Sequence, residues 1–332
     1  MLILGIETSC DETSMAVIED GRKILSNVIL SQAIHTDFGG VVPEVASREH
    51  MKTIVPIYRK ALTEADITLD KIGLVAATMG PGLVGPLLVG LSFAKGLAFA
   101  AGIPFVAVNH MEGHLAANIL QHAELDRHHL TLIVSGGHTM LVEVRQFGDY
   151  EILGRTKDDA AGEAFDKIAK KMGLGYPGGA ELDRLARSGN PKFHRFPRAV
   201  RKDGYNFSYS GLKTAVSLYL DKLEPAEFER HKADIAASFQ EAAVEVLVEK
   251  TVKAAREREI KDITISGGVA ANSRLRELLG KKLKRYDKRL FFPHPVLCTD
   301  NAAMIAAAGF YKFEREGPDE FVVEATPYLK LE

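Results

Sequence analysis

The chain has 332 residues, 46% of them hydrophobic and 26% charged, with a formal net charge of −2 at pH 7. That length allows two domains or one two-lobed body with a full core, and the composition is that of an ordinary globular protein. A near-neutral balance argues against nucleic-acid binding by bulk electrostatics and leaves that task to local basic runs. The two cysteines, Cys10 and Cys298, offer no disulfide framework and fit a cytoplasmic location.

The N-terminus has no basic segment followed by an apolar one, so no signal peptide is expected. Apolar runs at 2–7, 14–19 and 23–30 predict three strands, with a turn at Asp20-Gly21. The spacing of Val45, His50, Ile54, Ile57, Ala61 and Leu62 predicts a helix over 45–65. A buried strand at 72–78, a helix at 83–101 and a strand at 104–108 follow. The run 83–101 is broken by Lys95 and several glycines, so it reads as a buried helix rather than a membrane span. No membrane association is expected.

The second half repeats this β-β-β-α-β-α-β order. Strands are expected at 130–135, 139–144 and 150–153, then a helix at 160–172, a strand at 263–266, a helix at 272–284 and a strand at 290–292. Helices at 178–187, 210–220 and 226–257 form an insertion, and a last helix at 301–315 packs back on the first lobe. Two copies of one plan imply a duplicated, two-lobed α/β body. Residues 1–127 plus 297–332 form the first lobe. Residues 128–296 form the second, with the helical insertion at about 173–258. The glycine- or serine-bearing turns that open each copy would face each other across a cleft.

His110 and His114, in Val-Asn-His-Met-Glu-Gly-His, follow the strand at 104–108. On a helix, residues i and i+4 share a face, so two imidazoles lie side by side and lack only one or two ligands for a divalent metal. The bland alternative is a chance pair. A zinc-peptidase site needs glutamate beside the first histidine, whereas Glu112 lies one position later on another face, so a protease is not expected. Asp300, in Cys-Thr-Asp-Asn-Ala-Ala, is either the third metal ligand or a plain N-cap of the last helix.

Three short loops have phosphate-binding character: residues 7–14 (Glu-Thr-Ser-Cys-Asp-Glu-Thr-Ser), 135–139 (Ser-Gly-Gly-His-Thr) and 266–272 (Ser-Gly-Gly-Val-Ala-Ala-Asn). Glycines let backbone N–H groups approach a ligand, and the third loop opens a helix whose N-terminus favours an anion. Glycine pairs also mark ordinary turns, but three at equivalent places in a duplicated plan carry more weight. Glu7, Asp11 and Glu12 would repel a bare phosphate and suit a metal-bearing or water-positioning edge. Asp11 reads equally as a turn residue bonding its own backbone.

Asp158, Asp159, Glu163 and Asp166 form an acidic stretch, mostly a solvated face, from which Asp166 could turn inward. Asp183 is placed to accept bonds from a ribose or an ammonium, or is surface charge. Basic runs at 192–202 and 281–289, with Phe193, Phe196 and Tyr286 interleaved, fit a nucleic-acid backbone surface or solvated faces.

These residues together resemble a known family. Ile-Glu-Thr-Ser-Cys-Asp-Glu-Thr, Gly-Pro-Gly-Leu at 80–83, His-Met-Glu-Gly-His, Val-Ser-Gly-Gly-His-Thr, Phe-Ser-Tyr-Ser-Gly-Leu-Lys-Thr and Ser-Gly-Gly-Val-Ala-Ala-Asn, from Ile3 to about Gly309, are similar to the TsaD family of bacterial tRNA threonylcarbamoyladenosine transferases. The resemblance implies an actin-like ATPase, sugar-kinase-like fold of two duplicated lobes. It implies transfer of the threonylcarbamoyl group from L-threonylcarbamoyl-AMP to N6 of adenosine 37, in tRNAs reading codons that begin with A, with release of AMP. It implies one divalent ion, Fe2+ or Zn2+, on His110, His114 and Asp300. It places the adenylate substrate on Ile133, Val134, Ser135, Gly136, Gly137, Asp166, Gly179, Asp183 and Asn272.

The archaeal and eukaryotic branch has a metal-reaching tyrosine where this chain has Ile133. A three-ligand protein site is therefore expected, as in the bacterial branch, which works with the partner proteins TsaB and TsaE. No exposed apolar stripe in the sequence marks their docking. Asp11 and Glu12 are candidates for the general base by location. The rival readings are an ATP-binding kinase or ATPase of the same fold, which has no reason to carry the histidine pair, and a catalytically silent scaffold.

Overall fold

The computed structural model describes residues 1–125, 127–199 and 203–331. Residues 200–202 of the first basic run lie outside the described residues. In chain order the elements are β1 (Leu2–Glu7), β2 (Glu12–Glu19), β3 (Lys23–Ser31), α1 (His35–Phe38), α2 (Pro43–Ala65), β4 (Ile72–Gly80), α3 (Val84–Ala101), β5 (Phe105–Asn109) and α4 (His110–Ala116). There follow β6 (His129–Val134), β7 (Thr139–Gln146), β8 (Asp149–Arg155), α5 (Ala161–Lys171), α6 (Gly179–Ala186), α7 (Ser210–Leu220) and α8 (Pro225–Glu257). The chain closes with β9 (Asp262–Ser266), α9 (Ser273–Lys284), β10 (Arg289–Phe291), α10 (Pro295–Cys298) and α11 (Ala302–Glu316).

The chain divides into two compact units: Met1–Leu125, Phe147–Asp149 and Pro293–Glu332 in one, Asp126–Gln146 and Tyr150–Phe292 in the other. Each holds a five-stranded sheet, ordered β3-β2-β1-β4-β5 in the first and β10-β9-β6-β7-β8 in the second. In the first, β1 pairs antiparallel with β2 and parallel with β4. In the second, β6 pairs antiparallel with β7 and parallel with β9. The duplicated strand plan read from the sequence is thus present, strand for strand.

In the first unit the sheet is covered on both faces, so its central strands bury nearly every residue rather than alternating. One face meets α2 and α3, with Leu4, Ile6, Val75 and Ala77 against Ile54, Ile57, Leu91 and Ala94. The other meets α11, whose buried alanines allow close approach. A Cβ on Gly5 would stand 2.2 Å from the Ala302 carbonyl oxygen and 2.8 Å from the Ala306 Cβ. Glycine is therefore what lets β1 lie against α11, and overpacking there would cost on the order of 1–3 kcal/mol.

Among the described residues α3 is the one helix long and apolar enough to cross a membrane by length and composition. Its inner face, Leu87, Leu91, Ala94 and Ala98, is buried in the core, as a buried helix requires. Its outer face is not: Val84, Leu88 and Phe99 are exposed. Ser47 touches Gly85, and the rings of Tyr58 and Phe93 meet edge to face at 5.6 Å, so α2 and α3 run side by side. Exposed Met51 and Val55 of α2 therefore extend the apolar face of α3. This apolar surface was not evident in the sequence, because helical spacing alone does not show which of two apolar faces is covered.

Candidate functional site

The histidine pair sits where β5 gives way to α4. Asn109 ends the strand, and its side-chain oxygen accepts a hydrogen bond from the Met111 amide at 2.9 Å, which caps the helix. The cap starts the helix at His110, so His110 and His114 fall one turn apart on the same face, as the spacing predicts. Their rings are edge to face with centroids 4.8 Å apart. Asp300 reaches both: its Oδ1 is 3.4 Å from Nε2 of His110 and 3.4 Å from Nε2 of His114.

Asp300 is free to do so because it is not the N-cap of α11. Asn301 takes that role, its side-chain oxygen accepting from the Met304 amide at 3.1 Å. The plain-cap reading of Asp300 is thereby corrected; the sequence placed two capping residue types in a row and did not say which one caps.

Three observations fit this group to a divalent cation. The ligand atoms of His110, His114 and Asp300 all lie within 4.8 Å of one another. Both ring nitrogens of His114 are buried without a hydrogen-bond partner, which is costly unless something else takes the lone pair. Finally, ligands held at about 2.1 Å around a tetrahedral ion stand about 3.4 Å apart, the separation of Asp300 Oδ1 from each imidazole here, and longer than a good N–H···O bond. Neither cysteine belongs to the group.

The electrostatics agree. Burial alone would push the His110 imidazole down, yet the Asp300 and Glu7 carboxylates hold it well above its usual range. Burial likewise pushes Asp300 up, but the two imidazoles hold it well below the usual carboxylate range. Glu7 is fully buried at the end of β1, accepts from Thr78 Oγ1 at 2.6 Å, and lies 3.0 Å from Nδ1 of His110. The site is built to hold positive charge.

Asp11 and Glu12 lie at the turn into β2. The Asp11 carbonyl accepts from the Gln32 amide, and Glu12 Oε1 accepts from Ser31 Oγ at 3.3 Å. Burial, then the charges of Asp300 and Asp11, push Glu12 well above the ordinary carboxylate range. The same burial pushes the Cys10 thiol far up, so it is not a thiolate at neutral pH.

In the second unit, Ile133 and Val134 are buried in β6, and Ser135, Gly136 and Gly137 form the turn into β7. A Cβ on Gly136 or Gly137 would meet nothing within 4 Å, so both residues are open on the side a side chain would occupy. Gly267 is different: it packs on Val134 with φ at +87°, which ties the third loop to the second. A short 3-10 turn, Gly268–Ala271, intervenes before α9, which the sequence did not show because four residues leave no periodicity. Asn272 caps α9, accepting from the Leu275 amide at 2.9 Å, and its amide nitrogen donates to Gln240 at 2.7 Å.

Asp183 is buried, not surface charge. It accepts from the Ser273 hydroxyl at 2.8 Å and from Arg187 at 2.9 Å, joining α6 to the start of α9. Asp166 accepts from the amides of Gly178 and Gly179, both at 3.0 Å, which gathers Asp166 and Gly179 at the N-terminus of α6. Asp158, read as part of a solvated face, is exposed and also holds the start of α7 through the Tyr209 and Ser210 amides.

The family model for tRNA N6-adenosine threonylcarbamoyltransferase, TsaD, matches residues 23–307. The chain belongs to that family. A tRNA N6-adenosine threonylcarbamoyltransferase of Caldicellulosiruptor saccharolyticus is 52% identical over 332 residues, covering 100% of this chain and 98% of that one. One of Clostridium botulinum is 50% identical over 331 residues, covering 99% and 97%. The fold is also that of T. kodakarensis HypF (TM-score 0.64, 16% identity, 95% of this chain and 48% of that chain). It is shared with component A of (R)-2-hydroxyglutaryl-CoA dehydratase from Acidaminococcus fermentans (TM-score 0.59, 15% identity, 94% and 98%). These neighbours establish an actin-like ATPase fold and no more. Family membership makes the chain a tRNA-modifying acyltransferase, and the kinase or ATPase reading is not favoured.

Proposed function

We propose that this TsaD-family chain transfers the threonylcarbamoyl group of L-threonylcarbamoyl-AMP to N6 of adenosine 37 in tRNAs reading codons that begin with A, releasing AMP. The observation that carries the reading is the buried His110–His114–Asp300 group, with the orphaned nitrogens of His114. These three residues hold one divalent ion, Fe2+ or Zn2+. When bound, such an ion supplies Lewis-acid stabilisation of charge on the carbonyl oxygen.

The N6 amine of adenine is a weak nucleophile, because its lone pair is delocalised into the ring. The acyl donor must therefore carry a good leaving group, which a mixed anhydride with AMP provides. The turn at Gly136 and Gly137, open where side chains would stand, receives the phosphate, while Ile133, Val134, Ser135, Asp166, Gly179, Asp183 and Asn272 frame the adenylate. Asp11 and Glu12 are the carboxylates that accept the amine proton; burial and the charges of Asp300 and Asp11 raise Glu12, which makes its ionised form the stronger base. The acceptor base is presented outside its stack, which an anticodon loop does at low cost.

The two compact units are the two lobes of the duplicated body, with α6 to α8 as the helical insertion. The chain acts in the cytoplasm with TsaB and TsaE. The exposed apolar residues Met51, Val55, Val84 and Leu88 support a protein partner on the first unit. The deciding experiment supplies threonylcarbamoyl-AMP, tRNA and the partner proteins and assays modified adenosine. Product is expected from the unaltered chain, with near-total loss in His110→Ala. Undiminished product from that variant rejects the metal role.

A further inference from the structure

The two ends of α9 are chemically unlike. At its start, Asn272 caps the helix and Ser273 is bound to Asp183. Leu279 and Leu283 are buried and fix the inner face. At its end come Lys281, Lys282, Lys284 and Arg285, of which Lys281, Lys284 and Arg285 are exposed. No side-chain hydrogen bond or ion pair joins any of the four to a carboxylate among the described residues. Their neighbours differ: Arg274 pairs with Glu241 and Glu277, and Arg289 pairs with Asp262. Lys288 is tied to the Ile260 carbonyl.

Like charges at i, i+3 and i, i+4 repel, and the sequence sets three such pairs here (281/284, 281/285 and 282/285). A helix C-terminus attracts cations, which accounts for one or two of them. Four within five positions, with no acid between them, exceed what the helix end requires. Tyr286 follows, partly exposed, with the Arg256 guanidinium 4.4 Å over its ring, so a fifth cation stands beside the four.

We propose that this turn of α9 is a phosphate-contact surface for tRNA, with Lys281, Lys282, Lys284 and Arg285 meeting the sugar-phosphate backbone of the anticodon arm. The inference rests on the tRNA-modifying reading of the chain. With a net charge of −2 the molecule as a whole does not attract a polyanion, so attraction must come from a local cluster. The twelve residues of α9 also set a suitable scale. At 1.5 Å per residue the cationic end stands about 18 Å from Asn272. That separation lets one helix serve the adenylate at one end and the backbone of the arm that carries the acceptor base at the other.

The test measures tRNA affinity of the full chain with its partners as a function of salt. The variants are K281A/K284A/R285A and the charge-preserving K281R/K284R/R285K, and melting curves check that each folds. Losing three phosphate contacts should weaken binding at least tenfold at moderate salt and make the slope of log K against log salt shallower by about 2 to 3. The charge-preserving variant should keep both, and metal content should be unchanged in both. Unaltered affinity and slope in the alanine variant overturn the proposal. So does weaker binding with an unchanged slope, which would report a distorted fold. Unchanged tRNA binding with lost affinity for anionic vesicles overturns it in favour of a membrane surface. Binding is read without turnover, so a failure of the transferase reading shows separately, as absence of modified adenosine with the unaltered chain.

Discussion

Glu7 Oε2 lies 3.0 Å from Nδ1 of His110, and that contact decides which ring nitrogen is left for a metal. The carboxylate accepts the Nδ1–H, so the proton that an incoming cation would displace is the one on Nε2, the atom that faces Asp300. Glu7 is itself fixed by Thr78 Oγ1 and by the Ser9 amide. The expected outcome for Glu7→Gln, which keeps the shape and removes the charge, is a fall of roughly 10–100-fold in metal affinity. Competition against a chelator of known affinity reads this directly. Unchanged affinity would remove Glu7 from the site.

His114 gives a second test, through stability. Its ring is fully buried and neither nitrogen has a hydrogen-bond partner, so the apo protein carries a cost that a bound ion relieves. Adding Zn2+ or Fe2+ to the metal-free chain should raise its melting temperature. An ion present at a hundred times its Kd contributes about 2.7 kcal/mol. In His114→Ala the same addition should produce no rise, whatever the variant's own starting stability. A shift of equal size in the variant would place the ion elsewhere.

The succession of strands and helices along the chain and the histidine pair were legible because they rest on periodicity and on i, i+4 spacing, which a sequence displays directly; the order of strands within each sheet comes from the structure. What stayed hidden depends on which of two similar neighbours does a job. Asp300 and Asn301 both cap helices well, and only packing shows that Asn301 caps while Asp300 turns to the imidazoles. The partners of Asp158 and Asp183, Ser210 and Ser273, lie 52 and 90 residues away, so no local pattern shows those bonds or decides between the ligand and surface readings of Asp183. The short helices α1 and α10 span four residues each, too few for a repeat to register. The exposed face of α2 and α3 escaped notice for a related reason: an apolar run does not announce which side meets solvent.

The glycine loops of the second unit allow ligand contact to be separated from folding. Gly267 adopts φ of +87°, and a Cβ there would stand 2.4 Å from the Val134 carbonyl oxygen. Gly267→Ala should therefore destabilise by roughly 1–3 kcal/mol or more, through backbone strain and overpacking. Gly136→Ala and Gly137→Ala introduce a Cβ into open space and should melt close to the unaltered chain. If those backbones receive the phosphate, both variants should nonetheless bind threonylcarbamoyl-AMP more weakly, as titration calorimetry would show. Full affinity in both would mean that the turn is only a turn.

His50 sets a pH dependence on the loop that carries Asp11 and Glu12. Its ring is fully buried on α2, with Nε2–H donating to the Cys10 carbonyl at 2.9 Å and Nδ1 accepting from the Thr13 hydroxyl at 2.8 Å. Burial lowers its pKa below the ordinary imidazole value of about 6.5, and the Cys10 bond offsets only part of that. The folded state therefore resists a proton that the unfolded chain accepts. Stability from this group is fully present above pH 6.5 and falls as pH drops toward the lower folded value, by at most about 1.4 kcal/mol per pH unit. Denaturant unfolding at pH 7.5 and 5.5 should show the unaltered chain losing more stability on acidification than His50→Gln does. The difference between the two proteins isolates this ring from every carboxylate they share. If that difference does not change with pH, the imidazole is not held neutral by its surroundings, and the loop between β1 and β2 is secured by some other contact.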